Sequence, residues 1–148
     1  MSHKEYEIDG YVIEAPRVIN RIKISLVDLQ RVARIMWLLD VRPGTRLRIE
    51  RLGLHYARYG DCGWEKADGS SFKVRMQGFS MWSMAHEVMH IVQAQRFKHM
   101  DEWDAAYTKH STARPVFSAR ASKYHDNPYE VEARAAEHVG AEVSNWIP

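Results

Sequence analysis

The sequence predicts an α+β domain in which an N-terminal helix precedes a small antiparallel sheet, followed by a long helix and a C-terminal helix. Three observations predict it. Apolar residues recur at helical spacing between Ser25 and Asp40, alternate with period two between Thr45 and Met76, and return to helical spacing from Ser80 onward. At 148 residues, 45% hydrophobic and 27% charged, the chain has the length of one domain, 1–148, with one core.

After an extended start at Tyr11-Val12-Ile13, residues Leu26, Leu29, Val32, Ala33, Met36 and Leu39 form one helical stripe. Ser25 with Asp28 three positions on is a capping arrangement, and Pro43-Gly44 ends the element. Arg46 to Leu52 and Phe72 to Met76 alternate like half-buried strands, separated by the turn signals Gly60-Asp61-Cys62-Gly63 and Ala67-Asp68-Gly69-Ser70. A three-stranded antiparallel meander is the expectation. Ser80 can cap the next helix, whose run from Met81 to Met100 holds neither Gly nor Pro. A short helix over Asp101 to His110 and an irregular connection over Ser111 to Asp126 follow. Asn127-Pro128 then opens a last helix to about Val143, with Asn as cap and Pro at its first position.

The polar N-terminus lacks a secretory signal and no apolar run approaches the roughly 20 residues of a membrane span, so a cytoplasmic location and no membrane partner are expected. Cys62 is the only cysteine, which excludes an internal disulfide and a CxxC metal knuckle, so any metal must rest on His and carboxylate. The net charge of +2 is unevenly spread: residues 1–79 carry 14 Lys/Arg against 10 Asp/Glu, and 80–148 carry 7 against 9. Arg42, Arg46, Arg48, Arg51 and Arg58 give the first half a basic flavour, read first as a solvated strand face and second as a nucleic-acid surface.

Within Met84-Ala85-His86-Glu87-Val88-Met89-His90-Ile91 lies the pattern HExxH. Two histidines four apart share one helix face, about 5.4 Å apart along the axis, and both imidazoles can reach one ion. Glu87 stands where a carboxylate can take a proton from metal-bound water. With 8 His and 11 Glu in the chain the pattern arises by chance in about 3% of shuffled sequences. Its position weighs further, because a core helix places aliphatics where His86 and His90 stand, buried imidazoles needing partners. The third ligand cannot come from the extended pattern HExxHxxGxxH, since Gln93 and Arg96 occupy the places of its Gly and last His. Glu130 and Glu132 on the last helix are the available carboxylates.

HExxH followed by a downstream helix bearing ExxA resembles the Glu-liganded zincin metallopeptidases, the gluzincin branch, and especially its small members. The match covers about 20 residues in two short motifs. In CAAX-processing membrane proteases and the repressor-cleaving proteases of mobile elements the ligand Glu lies three residues before a small Ala, which here implies Glu130 before Ala133, with Glu132 as competitor. Glu130 also suits the helix N-terminal turn, although ordinary capping would explain it equally. Arg134 departs from the acidic or Asn residue often found after that Ala, so support for His86 is expected from Glu132 or Glu137.

The resemblance implies a minimal zincin-like fold and a Zn²⁺ metalloendopeptidase: His86, His90 and Glu130 hold the ion, Glu87 is general base, and a protein or peptide is the substrate. Tyr129 is the chosen oxyanion-stabilising residue, with Tyr124 and His125 as alternatives, and Cys62 receives no role. By analogy, the strand Phe72 to Met76 is the edge to which a peptide would add. The rivals are a zinc-stabilised binding protein with Glu87 a spectator, and a nucleic-acid-associated or phage accessory protein. Oligomeric state is not legible.

Overall fold

In the computed structural model, which describes residues 3–54, 60–112 and 125–148, the first element is a hairpin whose turn was written in the sequence as Asp9-Gly10. Both residues adopt left-handed backbone, φ 53° and 86°, and join β1 (Lys4–Ile8) to β2 (Tyr11–Ala15). Positive φ at both central positions matches the right-handed strand twist, and Asp-Gly is the pair that tolerates it. A second small hairpin, β3 (Val18–Ile19) and β4 (Ile22–Lys23), turns through Asn20 and Arg21, again with positive φ.

Helix α1 (Leu26–Leu38) begins at the predicted capping box, with Ser25 Oγ accepting from Asp28 N and the Asp28 side chain accepting from Ser25 N. It carries the chain from β2 to β5 (Arg46–Arg51), which pairs parallel to β2. Two further strands, β6 (Gly60–Trp64) and β7 (Ser71–Met76), complete a five-stranded sheet in the order β1-β2-β5-β7-β6. β5 and β7 are parallel; within this sheet the antiparallel pairs are β1-β2 and β6-β7. The sheet is therefore mixed, in place of the expected antiparallel meander. Alternation fixes which face of a strand is buried and leaves its neighbour open.

That burial reads as predicted. Leu47 and Ile49 on β5 stand opposite Phe72 and Val74 on β7, all fully covered, and join α1 residues such as Val32 and Met36 in one core. The other face holds the arginines in ion pairs: Arg46 with Glu5 and Glu14, and Arg48 with Glu14, Glu50 and Glu65.

Helix α2 (Met81–Ala94) starts at Ser80, whose Oγ accepts from Ser83 N, and ends six residues before the expected Met100. Gln95 terminates it by turning its amide to Thr45 Oγ1 and Gly69 O, and Met100 N donates to Ala67 O as the chain re-enters the core. Helix α3 (Met100–Thr112) and helix α4 (Pro128–Val143) follow, α4 capped by Asn127 as expected. α2 lies between the sheet and α4, so it is covered on nearly all sides. Among the described residues no helix is long and apolar enough to cross a membrane.

Candidate metal centre

The helical spacing of α2 brings His86 and His90 onto its face towards α4, their ring centroids 5.2 Å apart. Both are buried, as is Glu87 between them, and these three offer ligand atoms all within 4.8 Å of one another. From α4, Glu130 Oε1 lies 3.0 Å from His86 Nε2 and 3.2 Å from His90 Nε2. A carboxylate 2% exposed is held ionised only by partners of this kind. The spacing also passes a test of fit: donors on tetrahedral arms of about 2.1 Å are about 3.4 Å apart. The observed contacts fall close to such edges, so His86, His90 and Glu130 could close on one metal ion with small adjustment.

The far side of each imidazole is fixed. His86 Nδ1 lies 2.7 Å from Glu137 Oε2, and His90 Nδ1 2.8 Å from Gln93 Oε1. Hydrogen bonds at Nδ1 direct both Nε2 atoms to the same point. Gln93 is itself held, its Nε2 donating to Tyr129 O and Glu132 Oε1. The remaining oxygen of Glu130 accepts the Tyr107 hydroxyl at 2.5 Å.

Charge follows from this packing. For His86, burial alone would lower the pKa, but Glu130, Glu87 and Glu137 raise it to about 9. His90 is raised too, against burial, by Glu130 and Glu87. Burial would push Glu130 up, yet its bonds from His86 and His90 hold it well below the usual carboxylate range. Glu87 is the exception: burial outweighs the neighbouring histidines and lifts it to about 7.

Glu87 and His90 open onto a cleft of ≈ 520 Å³, walled by Gly60, Asp61 and Cys62 of β6 and by Trp103, Asp104 and Tyr107 of α3. The tight seat of Glu87 needs a glycine beside it: a Cβ on Gly60 would lie 3.2 Å from Glu87 Oε2 and 2.9 Å from Arg75 O. Cys62, distant in sequence from α2, comes to the cleft, where burial and then Glu87 raise its thiol well above the ordinary range.

Of the sequence-derived candidates, His86, Glu87, His90 and Glu130 are brought together, and Glu137 takes the supporting place beside His86. Glu132 points elsewhere, paired with Arg96 through both oxygens. Tyr129, expected at the reacting centre, packs its ring against Trp103, Tyr107 and His110, and Tyr107 supplies the hydroxyl next to Glu130. The physical reason is helix phase: one position before Glu130, Tyr129 projects about 100° around α4 from it. His125 is exposed beside Asp126, and Tyr124 lies outside the described residues. The strand Phe72 to Met76, expected at an edge, is instead interior: β7 lies between β5 and β6, and among the described residues β6 is the edge next to the cleft. Trp103, Tyr107 and His110 recur at helical spacing, the one signal from which the aromatic wall could have been read.

Against protein-family models, curated proteins and solved structures, the chain gives no match.

Proposed function

We propose that this protein is a zinc-dependent peptidase of the small gluzincin type, in which His86, His90 and Glu130 hold the ion and Glu87 moves the proton. One observation carries the reading: Glu130 Oε1 meets both imidazole Nε2 atoms, while the buried carboxyl of Glu87, between the same histidines, faces the open cleft. A purely structural site needs ligands and no adjacent proton acceptor.

Zinc, once bound, supplies an acidified water and polarises the scissile carbonyl. Glu87 accepts a proton from the attacking water at its carboxylate and returns it to the departing amine. In the metal-free protein burial lifts this carboxyl to about 7, and a carboxylate seated beside the ion's place can take and return a proton at the reacting centre. Tyr107 donates to Glu130 Oε2, which His90 Nε2 also approaches at 3.2 Å, while Oε1 meets both histidines. β6 offers its outer edge to an extended peptide, which main-chain hydrogen bonds would align along the cleft.

The test is the zinc-loaded full chain and its Glu87→Gln variant, incubated with a random peptide pool and followed by mass spectrometry. The expected result is cleavage by the first alone, with one zinc retained by both. Cleavage undiminished in Glu87→Gln would overturn the reading, and zinc without cleavage in either would favour a zinc-stabilised binding protein.

A further inference from the structure

Glu130 has two oxygens to offer an ion, and the histidines do not choose between them. His86 Nε2 lies 3.0 Å from Oε1, but His90 Nε2 is 3.2 Å from Oε1 and from Oε2 alike. The choice matters for what the ion can do. Held by two imidazoles and one carboxylate oxygen, zinc keeps one tetrahedral position for an incoming ligand. Held through both oxygens, it has four donors already and any further ligand must crowd in as a fifth.

The Tyr107 hydroxyl breaks the symmetry. It donates to Oε2 at 2.5 Å, in the range of short, charge-assisted O–H···O⁻ bonds. Chelation through both oxygens turns Oε2 towards the imidazoles and stretches that bond. The hydroxyl is not free to follow, because its ring packs edge-on against Trp103 and His90 and stacks on Tyr129. Its backbone is tied as well. Buried Asn127, the cap of α4, donates through Nδ2 to Ser111 Oγ at 3.0 Å and to Tyr107 O at 3.4 Å, while its Oδ1 accepts from Tyr129 N. One side chain thus joins the end of α3, which carries the hydroxyl, to the start of α4, which carries the carboxylate.

We propose that Tyr107 is a positioning residue: its hydroxyl limits Glu130 to ligation through one oxygen and so keeps the ion's remaining position open to the cleft that Tyr107, Glu130 and Glu87 line together. The inference rests on the proposed function for its ligand set and adds what keeps that set one short of closure.

The test uses the full chain and its Tyr107→Phe variant, each loaded with cobalt(II), whose visible absorption is strong with four donors and weakens with five. Azide is the probe of the open position. The parent should take one cobalt and show bands that shift as azide binds. Tyr107→Phe, which keeps the ring, should also take one cobalt but bind azide about tenfold more weakly, the scale of one lost charge-assisted hydrogen bond. Infrared difference spectra recorded on zinc loading give a readout that altered packing alone does not move. The splitting between the two carboxylate stretching bands is wide for one-oxygen ligation and narrow for two, so it should be wide in the parent and narrow in the variant. Unchanged azide affinity or unchanged splitting in Tyr107→Phe would overturn the proposal. So would a folded variant that takes up no cobalt, since the hydroxyl would then serve ligation itself. A narrow splitting in the parent overturns it whether or not the variant folds. Cleavage of the peptide pool by the zinc-loaded parent is scored separately. The expected azide and infrared results without cleavage would sink the peptidase reading alone, cleavage without those results would sink this inference alone, and a parent that binds no cobalt would sink both.

Discussion

Glu137 Oε2 lies 2.7 Å from Nδ1 of His86, a contact between residues 51 positions apart that aims the opposite nitrogen at Glu130. Removing it frees the ring to rotate and leaves a buried N–H without a partner. Glu137→Ala should weaken zinc binding by about 10–100-fold, the usual cost of losing such a support, and Glu137→Gln, which keeps an acceptor oxygen, by much less. Competition with a chromophoric chelator measures both. Equal affinities across the three proteins would show that the contact does not orient His86.

Glu130 and Glu132 were both open from spacing alone, and their surroundings now separate them. Glu130→Ala should abolish stoichiometric zinc in elemental analysis. Glu132→Ala should retain it and cost about 0–1 kcal/mol of stability, because Arg96 and Glu132 form an exposed pair and Gln93, which also donates to Glu132, keeps Tyr129 O as an acceptor. Zinc lost from the second variant and kept by the first would reverse the ligand assignment.

What the sequence made legible follows the reach of each signal. Helices announce themselves through caps and a 3.6-residue period, so α1, α2 and α4 were readable, and with them the shared face of His86 and His90. Glu130 was readable because cap and motif agree at one position. Strand order was not, since alternation at Leu47, Ile49, Phe72 and Val74 says only that one face is buried. Tyr107 was missed because aromatic residues at Trp103 and Tyr107 have the spacing of ordinary core, and only the packing of α3 against α2 turns them to the cleft. The Asp9-Gly10 hairpin was an available signal left unused.

His86 should govern how metal uptake responds to pH. Burial would lower its pKa, but Glu130, Glu87 and Glu137 raise it to about 9 in the metal-free protein. Zinc takes the neutral imidazole, so at neutral pH the ion must displace a proton, and affinity should climb with pH until about 9. The stability of the metal-free protein moves the other way. A folded pKa above the ordinary 6.5 gives stability that is complete below 6.5 and lost as pH rises through about 9. Chelator competition and thermal melts across this window should therefore show opposite trends. An affinity flat between these limits would contradict a proton held on His86.

Gly60 couples the edge strand to Glu87. Gly60→Ala places a Cβ 2.9 Å from Arg75 O and 3.2 Å from Glu87 Oε2, so β6 or the carboxylate must move. The expected cost is about 1–3 kcal/mol, together with a fall in any Glu87-dependent hydrolysis. Gly63→Ala on the same strand meets nothing within 4 Å and should stay within about 0.5 kcal/mol of the parent. Urea melts of the pair decide the point, and equal stabilities would mean that β6 yields without strain.

The site depends finally on how closely α4 approaches α2, and one glycine sets that distance. A Cβ at Gly140 would stand 2.1 Å from Met81 O and 2.8 Å from the Trp82 Cα, both backbone atoms at the start of α2 that cannot rotate away. Gly140→Ala must therefore push the helices apart, at an expected cost above about 3 kcal/mol. Because α4 carries both Glu130 and Glu137, the displacement should also weaken zinc binding, although position 140 is ten residues from Glu130. Thermal melts and zinc titration of the folded fraction test the two effects separately. A variant that lost stability but kept full zinc affinity would show that the Glu130 end of α4 is positioned independently of its C-terminal half.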